Sequence, residues 1–169
     1  EAMATVASET YTSTSAPIQY AAITAFEGGD FIDQYLNDSR RILRYLAKII
    51  RQKLTAASIS TPQVNGGFYL YPDFSFYREK LKARNILTSG ELCDALLEET
   101  GVALLPGIDF GHQPEELVAR LAYVDFDGKL ALEKLSAYQD KKLQESYISE
   151  YCPSIWEGIK ALCDWFSEL

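Results

Sequence analysis

The stretch from Gly101 to Gly128, GVALLPGIDFGHQPEELVARLAYVDFDG, constrains the fold of this chain more than any other part. It predicts two strands, Val102 to Leu105 and Ala119 to Phe126, separated by a Pro-Gly turn and a polar loop. Side chains alternate between the two faces of a strand. One face of the second strand therefore carries Val118, Arg120, Ala122, Val124 and Phe126. Arg120 is the single charge on this otherwise apolar face.

The position of Arg120 limits what can lie opposite it. A guanidinium stays protonated in proteins and is costly to bury alone, so it requires an anion. That anion is either a carboxylate of this chain or the carboxylate of a ligand. On the residues alone, an internal ion pair is the more common arrangement, and ligand binding is the alternative.

Outside this stretch, helical periodicity alternates with short runs of strand formers. The longest predicted helix runs from Phe31 to about Ala57, with Asp30 as its N-cap. Within Val64 to Asp73, VNGGFYLYPD, the strand formers Phe68 to Tyr71 predict a further strand that begins after Gly66-Gly67 and ends at Pro72. Other predicted helices cover residues 2–8, 18–26, 77–83, 89–100, 128–138 and 151–169, with Ser89 capping the fourth. The order of these predicted helices and strands along the chain predicts an α+β fold with a small, mostly antiparallel sheet covered by helices on one face.

A basic stripe runs along the longest predicted helix and comprises Arg40, Arg44, Lys48 and Arg51. Two interpretations fit this pattern. The stripe is either a solvated face, which is the usual role of such a charge run, or a grip for an anionic partner.

Length and charge narrow the class of protein. With 169 residues, 47% of them hydrophobic, the chain can form one domain with a real core. Its formal net charge of -8 argues against nucleic-acid binding, which depends on lysine and arginine at the phosphates. No apolar run approaches the roughly 20 residues that span a bilayer, and no basic-then-apolar leader opens the chain. We therefore expect no membrane partner and a cytoplasmic location.

Cysteine and histidine are too few and too scattered to predict a metal site. Cys93, Cys152 and Cys163 show no C-x-x-C spacing, so we expect reduced thiols in an intracellular protein. His112 is the single histidine and lies in a Gly-His-Gln-Pro loop, where a surface role is more common than catalysis.

The first residue is not methionine and the first residues read as the interior of a helix. We expect a piece of a longer protein.

Four segments give the chain a resemblance to a known family. They are YTSTSAPIQYAAITAF, NGGFYLYPDF, ELCDALLEETGVALLPGIDFG and ARLAYVDFDG, and their order and spacing resemble the C-terminal, small-domain part of class I/II aminotransferases. These are fold-type I enzymes that use pyridoxal 5'-phosphate. The resemblance covers residues 1 to about 138. It implies helices over 1–28 that pack on an absent large domain, a small domain over 29–138, and a linker with a C-terminal helix over 139–169.

The resemblance also implies roles for particular residues. The arginine that matches Arg120 holds the α-carboxylate of the substrate, which reverses the preference for an internal ion pair. Thr12, Ser13 and Thr14 match a region at the active-site mouth of the dimer partner. Alternatively, the hydroxyls of that loop only cap the following helix. We expect two nearby aromatic residues, Tyr69 and Phe110, to serve the core near the arginine more than the substrate.

One departure from the family concerns the cofactor. The family's Schiff-base lysine lies in a Ser-x-x-Lys setting that no lysine here has, and its other cofactor-binding residues belong to the large domain. No cofactor-binding residue is therefore predicted in this chain, which alone should be inactive.

The resemblance implies a parent enzyme that moves an amino group from an amino acid to a 2-oxo acid and forms a homodimer. A lyase or synthase on the same scaffold would use Arg120 in the same way. The alternative from another class is a non-catalytic α+β module that binds a small carboxylate or a protein partner. The enzyme hypothesis predicts apolar surface at Val6, Ile18, Tyr20 and Ile23, intended for the large domain, whereas a free-standing module would bury these side chains.

Overall fold

The chain forms an α+β fold with a small three-stranded sheet, which confirms the predicted class. The computed structural model describes residues 2–10, 14–138 and 143–169. The helices are α1 (Ala2–Thr10), α2 (Ala16–Glu27), α3 (Asp30–Ala56), α4 (Arg78–Ala83), α5 (Ser89–Thr100), α6 (Gly128–Leu135), α7 (Glu145–Tyr151) and α8 (Pro153–Ser167). Short 3-10 helices occupy Ser75–Tyr77, Gly107–Phe110 and Ser136–Tyr138. The strands are β1 (Tyr69–Leu70), β2 (Leu105–Pro106) and β3 (Ala119–Ala122).

The chain divides into two compact units, Glu1–Asp38 and Ser39–Leu169. The first unit contains α1, α2 and the start of α3, and neither α1 nor α2 buries any of its residues. The second unit contains the sheet and the hydrophobic core. Among the helices of the described residues, none has the length and apolarity needed to cross a bilayer.

The sheet has the order β1-β3-β2, and both pairings are antiparallel. Tyr69 pairs with Ala122, and Leu105 pairs with Arg120. The strands are shorter than the sequence predicted, because their flanks cannot extend the ladder. β1 is followed by Pro72, which has no N–H to donate, and β2 contains Pro106, which is tolerated because β2 is an edge strand.

The alternation predicted for β3 is correct, but its two faces have different surroundings. Ala119, Leu121 and Tyr123 are buried and belong to the core. On the other face, Arg120 is half-buried and Ala122 is exposed. The Arg120 face is therefore open, and it is not the buried apolar face that the pattern alone suggests.

Helices α3, α5 and α8 supply much of the core. The buried stripe of α3 includes Ile42, Leu46, Ile50 and Leu54. In α5 the N-cap is Thr88, not Ser89 as predicted, because the Thr88 side chain accepts a hydrogen bond from the Glu91 N–H. The apolar stripe predicted near the C-terminus forms α8, and its Phe166 ring stacks on Phe74 at 4.9 Å between centroids.

Candidate functional site

The candidate site is the guanidinium of Arg120, held between two aromatic rings. Its Cζ atom lies 4.4 Å from the centroid of the Tyr69 ring and 4.4 Å from the centroid of the Phe110 ring. These distances are within the range of cation–π attraction, which restricts the position of the guanidinium beside the rings. Arg120 itself is half-buried.

The sheet order explains how the two rings reach Arg120. Arg120 lies on the central strand β3, whereas Tyr69 lies on the neighbouring strand β1. Paired residues share a face of an antiparallel sheet, so Tyr69 is on the same face as its partner Ala122 and as Arg120. The methyl side chain of Ala122 leaves room for the Tyr69 ring. Phe110 arrives from the 3-10 helix that follows the other neighbour, β2.

Gly107 permits the close approach that positions Phe110. The Gly107 N–H donates to the Val118 carbonyl at 2.8 Å, which brings the start of the 3-10 helix against β3. A Cβ atom at position 107 would lie 2.8 Å from that same carbonyl oxygen, closer than a carbon atom can approach. The Pro-Gly pair of the sequence therefore does more than turn the chain. It sets the distance between the Phe110 segment and the arginine strand.

The hydrogen-bond donors of Arg120 remain available. Within residues 2–10, 14–138 and 143–169, the Arg120 side chain makes no ion pair and no hydrogen bond. The internal carboxylate partner considered from the sequence is absent from this part of the chain. A guanidinium has five N–H donors in a planar fork that matches a carboxylate. The arrangement is chemically suited to bind a carboxylate from another molecule.

Tyr69 and Phe110 do not belong to the core, contrary to the expectation from the sequence. Each of these side chains is 39% exposed. Their role near Arg120 is to flank its charge. The side-chain alternation and the positions of Tyr69 and Phe110 at strand ends predicted aromatic residues close to Arg120. They did not predict that this face of the sheet is exposed.

A second layer of contacts supports the Phe110 ring. Tyr71 packs edge-on against Phe110, with 5.8 Å between ring centroids. His112 lies beside Tyr71, and its Nδ1 atom is 2.8 Å from a Glu116 carboxylate oxygen. The hydrogen bond from His112 is the main reason that the pKa of Glu116 lies below its ordinary value, and the Gln113 N–H adds to it. This hydrogen bond gives His112 a structural role in the loop.

The predicted hydroxyl loop is only partly described. Thr12 and Ser13 lie outside the described residues. Thr14 is exposed, and its carbonyl accepts a hydrogen bond from the Gln19 side chain at 2.8 Å. Ser15, the N-cap of α2, makes no capping hydrogen bond with its side chain. The capping alternative is therefore not supported at Ser15.

The described residues contain no lysine on the elements that form the site. The lysines of the described part of the chain lie on helices: Lys48 and Lys53 on α3, Lys80 and Lys82 on α4, Lys129 and Lys134 on α6, and Lys160 on α8. In the same part of the chain there is no group of three or more histidine, cysteine or acidic side chains that could hold a metal ion. The side chains around Arg120 fit a carboxylate, and they do not fit the aldehyde and phosphate of pyridoxal phosphate.

Comparison with known proteins identifies relatives of most of the chain. The family described as "Aminotransferase class I and II" matches residues 1–135. An "Aspartate/prephenate aminotransferase" of Cereibacter sphaeroides is 32% identical over 129 residues, which cover 75% of this chain and 31% of the relative. An "Aspartate aminotransferase" of Geobacillus stearothermophilus is 33% identical over 124 residues, which cover 73% and 29%. The chain thus spans about a third of the length of these relatives.

A solved structure shares the fold. The crystal structure of an aromatic aminotransferase from Pyrococcus horikoshii superimposes with a TM-score of 0.60 at 20% sequence identity, and the match covers 89% of this chain and 31% of that one. At this identity the likeness concerns the fold alone.

Proposed function

Because this chain belongs to the class I and II aminotransferases, we propose that it is the segment of an aminotransferase that binds the α-carboxylate of the substrate. The observation that supports this role is the Arg120 guanidinium, which two aromatic rings hold and which no described carboxylate neutralises. The family and the geometry independently suggest the same residue.

The chemistry of the site suits a carboxylate better than other anions. The two rings lie 4.4 Å from the Cζ atom of the guanidinium, and neither ring uses the guanidinium's N–H donors in a conventional hydrogen bond. A carboxylate is planar and accepts two parallel hydrogen bonds from the edge of a guanidinium. Because the rings restrict the arginine before the ligand arrives, less conformational entropy is lost on binding.

The proposed reaction of the whole protein is transfer of an amino group from an amino acid to a 2-oxo acid. Both substrates carry a carboxylate beside the reacting carbon, so one arginine clamp serves both halves of the exchange. Two relatives are described as aminotransferases that act on aspartate, and one of these names adds prephenate. In this proposal pyridoxal phosphate is bound by residues outside these 169, and it supplies the electron sink of the reaction.

The role of Arg120 can be tested in the full-length protein by Arg120→Lys. Lysine keeps the charge but loses the planar fork, and breaking a hydrogen-bonded charge pair costs about 2–5 kcal/mol, so kcat/KM should fall by about thirtyfold or more. Phe110→Leu should lower kcat/KM by only several-fold, because a cation–π contact at a partly exposed ring is worth about 0.5–1 kcal/mol.

Arg84→Lys is the matched control, because Arg84 pairs with Glu99 and contacts Trp165, away from the site. If Arg120→Lys changes kcat/KM no more than Arg84→Lys does, Arg120 does not bind the substrate. Product analysis in the same assay separates an aminotransferase from a lyase or synthase, because only the aminotransferase converts the 2-oxo acid into an amino acid.

We further propose that the 169-residue chain alone is inactive. When it is mixed with an equimolar amount of pyridoxal phosphate and an amino donor, borohydride should fix the cofactor to no single lysine in stoichiometric yield. One lysine peptide labelled stoichiometrically, found by mass spectrometry, would show that the chain carries its own Schiff-base lysine.

The first unit is proposed to pack against the missing part of the protein and its dimer partner, with Thr12, Ser13 and Thr14 near the active-site mouth. This is supported by Val6, Ile18, Tyr20 and Ile23, which are between 54% and 75% exposed although all are large and hydrophobic. A free-standing module would bury such side chains, so the exposure favours the enzyme hypothesis over the non-catalytic one.

Three cysteines without a disulfide support the proposed cytoplasmic location.

A further inference from the structure

A basic groove lies along the second unit, apart from the Arg120 site. Its volume is about 1000 Å³, and one wall is the exposed side of α3 within residues 40–56. The opposite wall is formed by residues 63–67 and Tyr123. The four cations of the stripe, Arg40, Arg44, Lys48 and Arg51, all line this groove. They therefore face a walled channel and not only open solvent.

The cations form a line with the period of a helix. Successive members are three or four residues apart, so they follow one another by about 5–6 Å along α3 and span about 16 Å. Arg51 donates to the Thr61 hydroxyl at 3.2 Å. Arg40, Arg44 and Lys48 make no ion pair with any residue that the structure describes. Three adjacent positive charges therefore have no counter-charge in the second unit's described residues.

The lining of the groove between the cations is largely apolar. Leu43 and Ala47 of α3 lie next to the basic stripe, and Val64 lines the opposite wall. Leu43 and Val64 are half-buried, so both keep apolar surface that a ligand could cover. The groove thus combines an apolar floor with a positive edge, which is the complement of an amphipathic segment with an acidic edge.

We propose that this groove docks an acidic amphipathic segment of a partner polypeptide, with apolar side chains on Leu43 and Val64 and carboxylates beside the cations. Charge complementarity supports this occupant. A helix with acidic residues four apart matches the spacing of Arg40, Arg44 and Lys48. This inference does not depend on the proposed aminotransferase function, because Arg120 is not part of the groove.

Two other anionic ligands fit the groove less well. A small anion would be held by converging cations, whereas these four lie in a row. A single-stranded nucleic acid would need aromatic faces for its bases to stack on. Among the described residues that line the groove, the single aromatic ring belongs to Tyr123, which is fully buried and donates its hydroxyl to the Gly67 carbonyl at 3.1 Å.

The experiment measures binding of a fluorescent synthetic peptide of about 16 residues, roughly the length of the groove wall, to the 169-residue chain. The peptide has a leucine stripe with glutamates four apart along one edge, and its counterpart has lysines in place of the glutamates. We expect fluorescence anisotropy to detect binding of the glutamate peptide only, and the affinity should fall as salt is raised. Arg44→Glu with Lys48→Glu should weaken binding at least about tenfold.

The matched control is Lys82→Glu with Lys160→Glu, which makes the same change in net charge at two exposed lysines outside the groove. This control should leave the affinity unchanged. If the reversed groove variant unfolds, the milder Arg44→Gln with Lys48→Gln replaces it.

Four outcomes would overturn the proposal. These are equal binding of the two peptides, an unchanged affinity in the groove variant, tighter binding of an oligothymidine than of the glutamate peptide, and a groove variant that abolishes self-association while the peptide fails to bind. The last outcome would assign the groove to a second copy of this chain.

Discussion

At the scale of single residues, the rings beside Arg120 determine how its charge can be used. Each ring contributes about 0.5–1 kcal/mol of cation–π attraction, which offsets part of the cost of removing the guanidinium from water. Aromatic rings accept no strong hydrogen bond, so the N–H donors keep their capacity for an anion. A carboxylate partner from the protein would have used that capacity. The rings thus stabilise the Arg120 cation and leave its N–H groups able to bind an anion.

The cysteine residues show the opposite case, in which burial removes reactivity. Burial raises the pKa of the Cys93 thiol to about 12 and that of Cys152 to about 11, and it also raises the pKa of Cys163. Only the thiolate reacts with disulfide reagents, so at pH 8 we expect slow labelling by Ellman's reagent in the native state and rapid labelling of all three in denaturant. Cys163, which is half-buried, should react first.

Cys163→Ser identifies the thiol that reacts first, because this variant should lose the earliest labelling phase. Rapid native labelling of Cys93, which is 5% exposed, would contradict the packing described here.

At the scale of elements, α5 shows how local hydrogen bonds fix a helix start. Thr88 and Glu91 form a capping box, in which the Thr88 side chain accepts from the Glu91 N–H and the Glu91 carboxylate accepts from the Thr88 N–H. The same carboxylate accepts from the Leu87 N–H at 2.8 Å, and this bond is the main cause of its lowered pKa. The helix that leads to β2 and Gly107 therefore begins at a fixed residue.

This capping box predicts a pH dependence of stability. The pKa of Glu91 is lowered from 4.5, so its contribution is present above pH 4.5 and is lost as the pH falls through the lowered pKa. The side chain introduced by Glu91→Gln cannot titrate, so the free energy of unfolding should change less with pH in the acid range. Urea unfolding at several pH values measures this dependence. Glu98→Gln, at an exposed position of the same helix, is the control and should keep the original slope. Equal slopes in the two variants would contradict the prediction.

Helix α8 is held by an aromatic cluster at its C-terminal end. Phe166 is fully buried, stacks on Phe74 and also contacts the rings of Tyr77 and Trp165. Trp165 donates to Glu99 of α5 at 2.8 Å, which lowers the pKa of that carboxyl. This helix lies beyond the residues that match the family, yet it belongs to the same core as the sheet.

Phe166→Ala should therefore lower the free energy of unfolding by about 3–5 kcal/mol, because it leaves a cavity in this cluster. Denaturant unfolding measures the loss. Phe76→Ala is the control, since Phe76 is 72% exposed and its removal should change stability by only about 0.5 kcal/mol. A similar loss in both variants would show that α8 is not part of the stable core.

At the scale of the whole molecule, the two units differ in how much they bury. Every buried hydrophobic residue of the described chain lies at position 42 or later. The first unit instead exposes large side chains such as Met3 and Phe26, which are 87% and 91% exposed. Such surface favours self-association until another surface covers it.

A truncated chain of residues 39–169 should therefore fold without the first unit. It keeps the whole buried core and starts with Ser39, a residue suited to cap the shortened α3. We expect its melting temperature by circular dichroism to lie within a few degrees of the full chain, and light scattering to show less self-association. A truncated chain that is unfolded, or that associates as strongly as the full chain, would contradict the division into units.

The local features of this protein can be read from its amino-acid sequence. The alternation in β3, the period of α3 and the stop signals at glycine and proline depend on residues close together in the chain, so they could be predicted. The order and spacing of four short segments also indicated the family, which the comparisons confirm. The capping residue of α5 was wrong by one position, because serine and threonine side chains are both suited to that role and only the observed hydrogen bond distinguishes them.

The surroundings of the charged side chains depend on contacts between distant parts of the chain. Tyr69 reaches Arg120 through the β1-β3-β2 order, and Phe110 reaches it through the close approach at Gly107. The wall formed by residues 63–67 likewise turns a basic stripe of α3 into a groove. A periodic pattern specifies which face a side chain occupies, but the contents and openness of that face depend on pairings between distant parts of the chain. For that reason the sequence identified Arg120, and the fold supplied its surroundings.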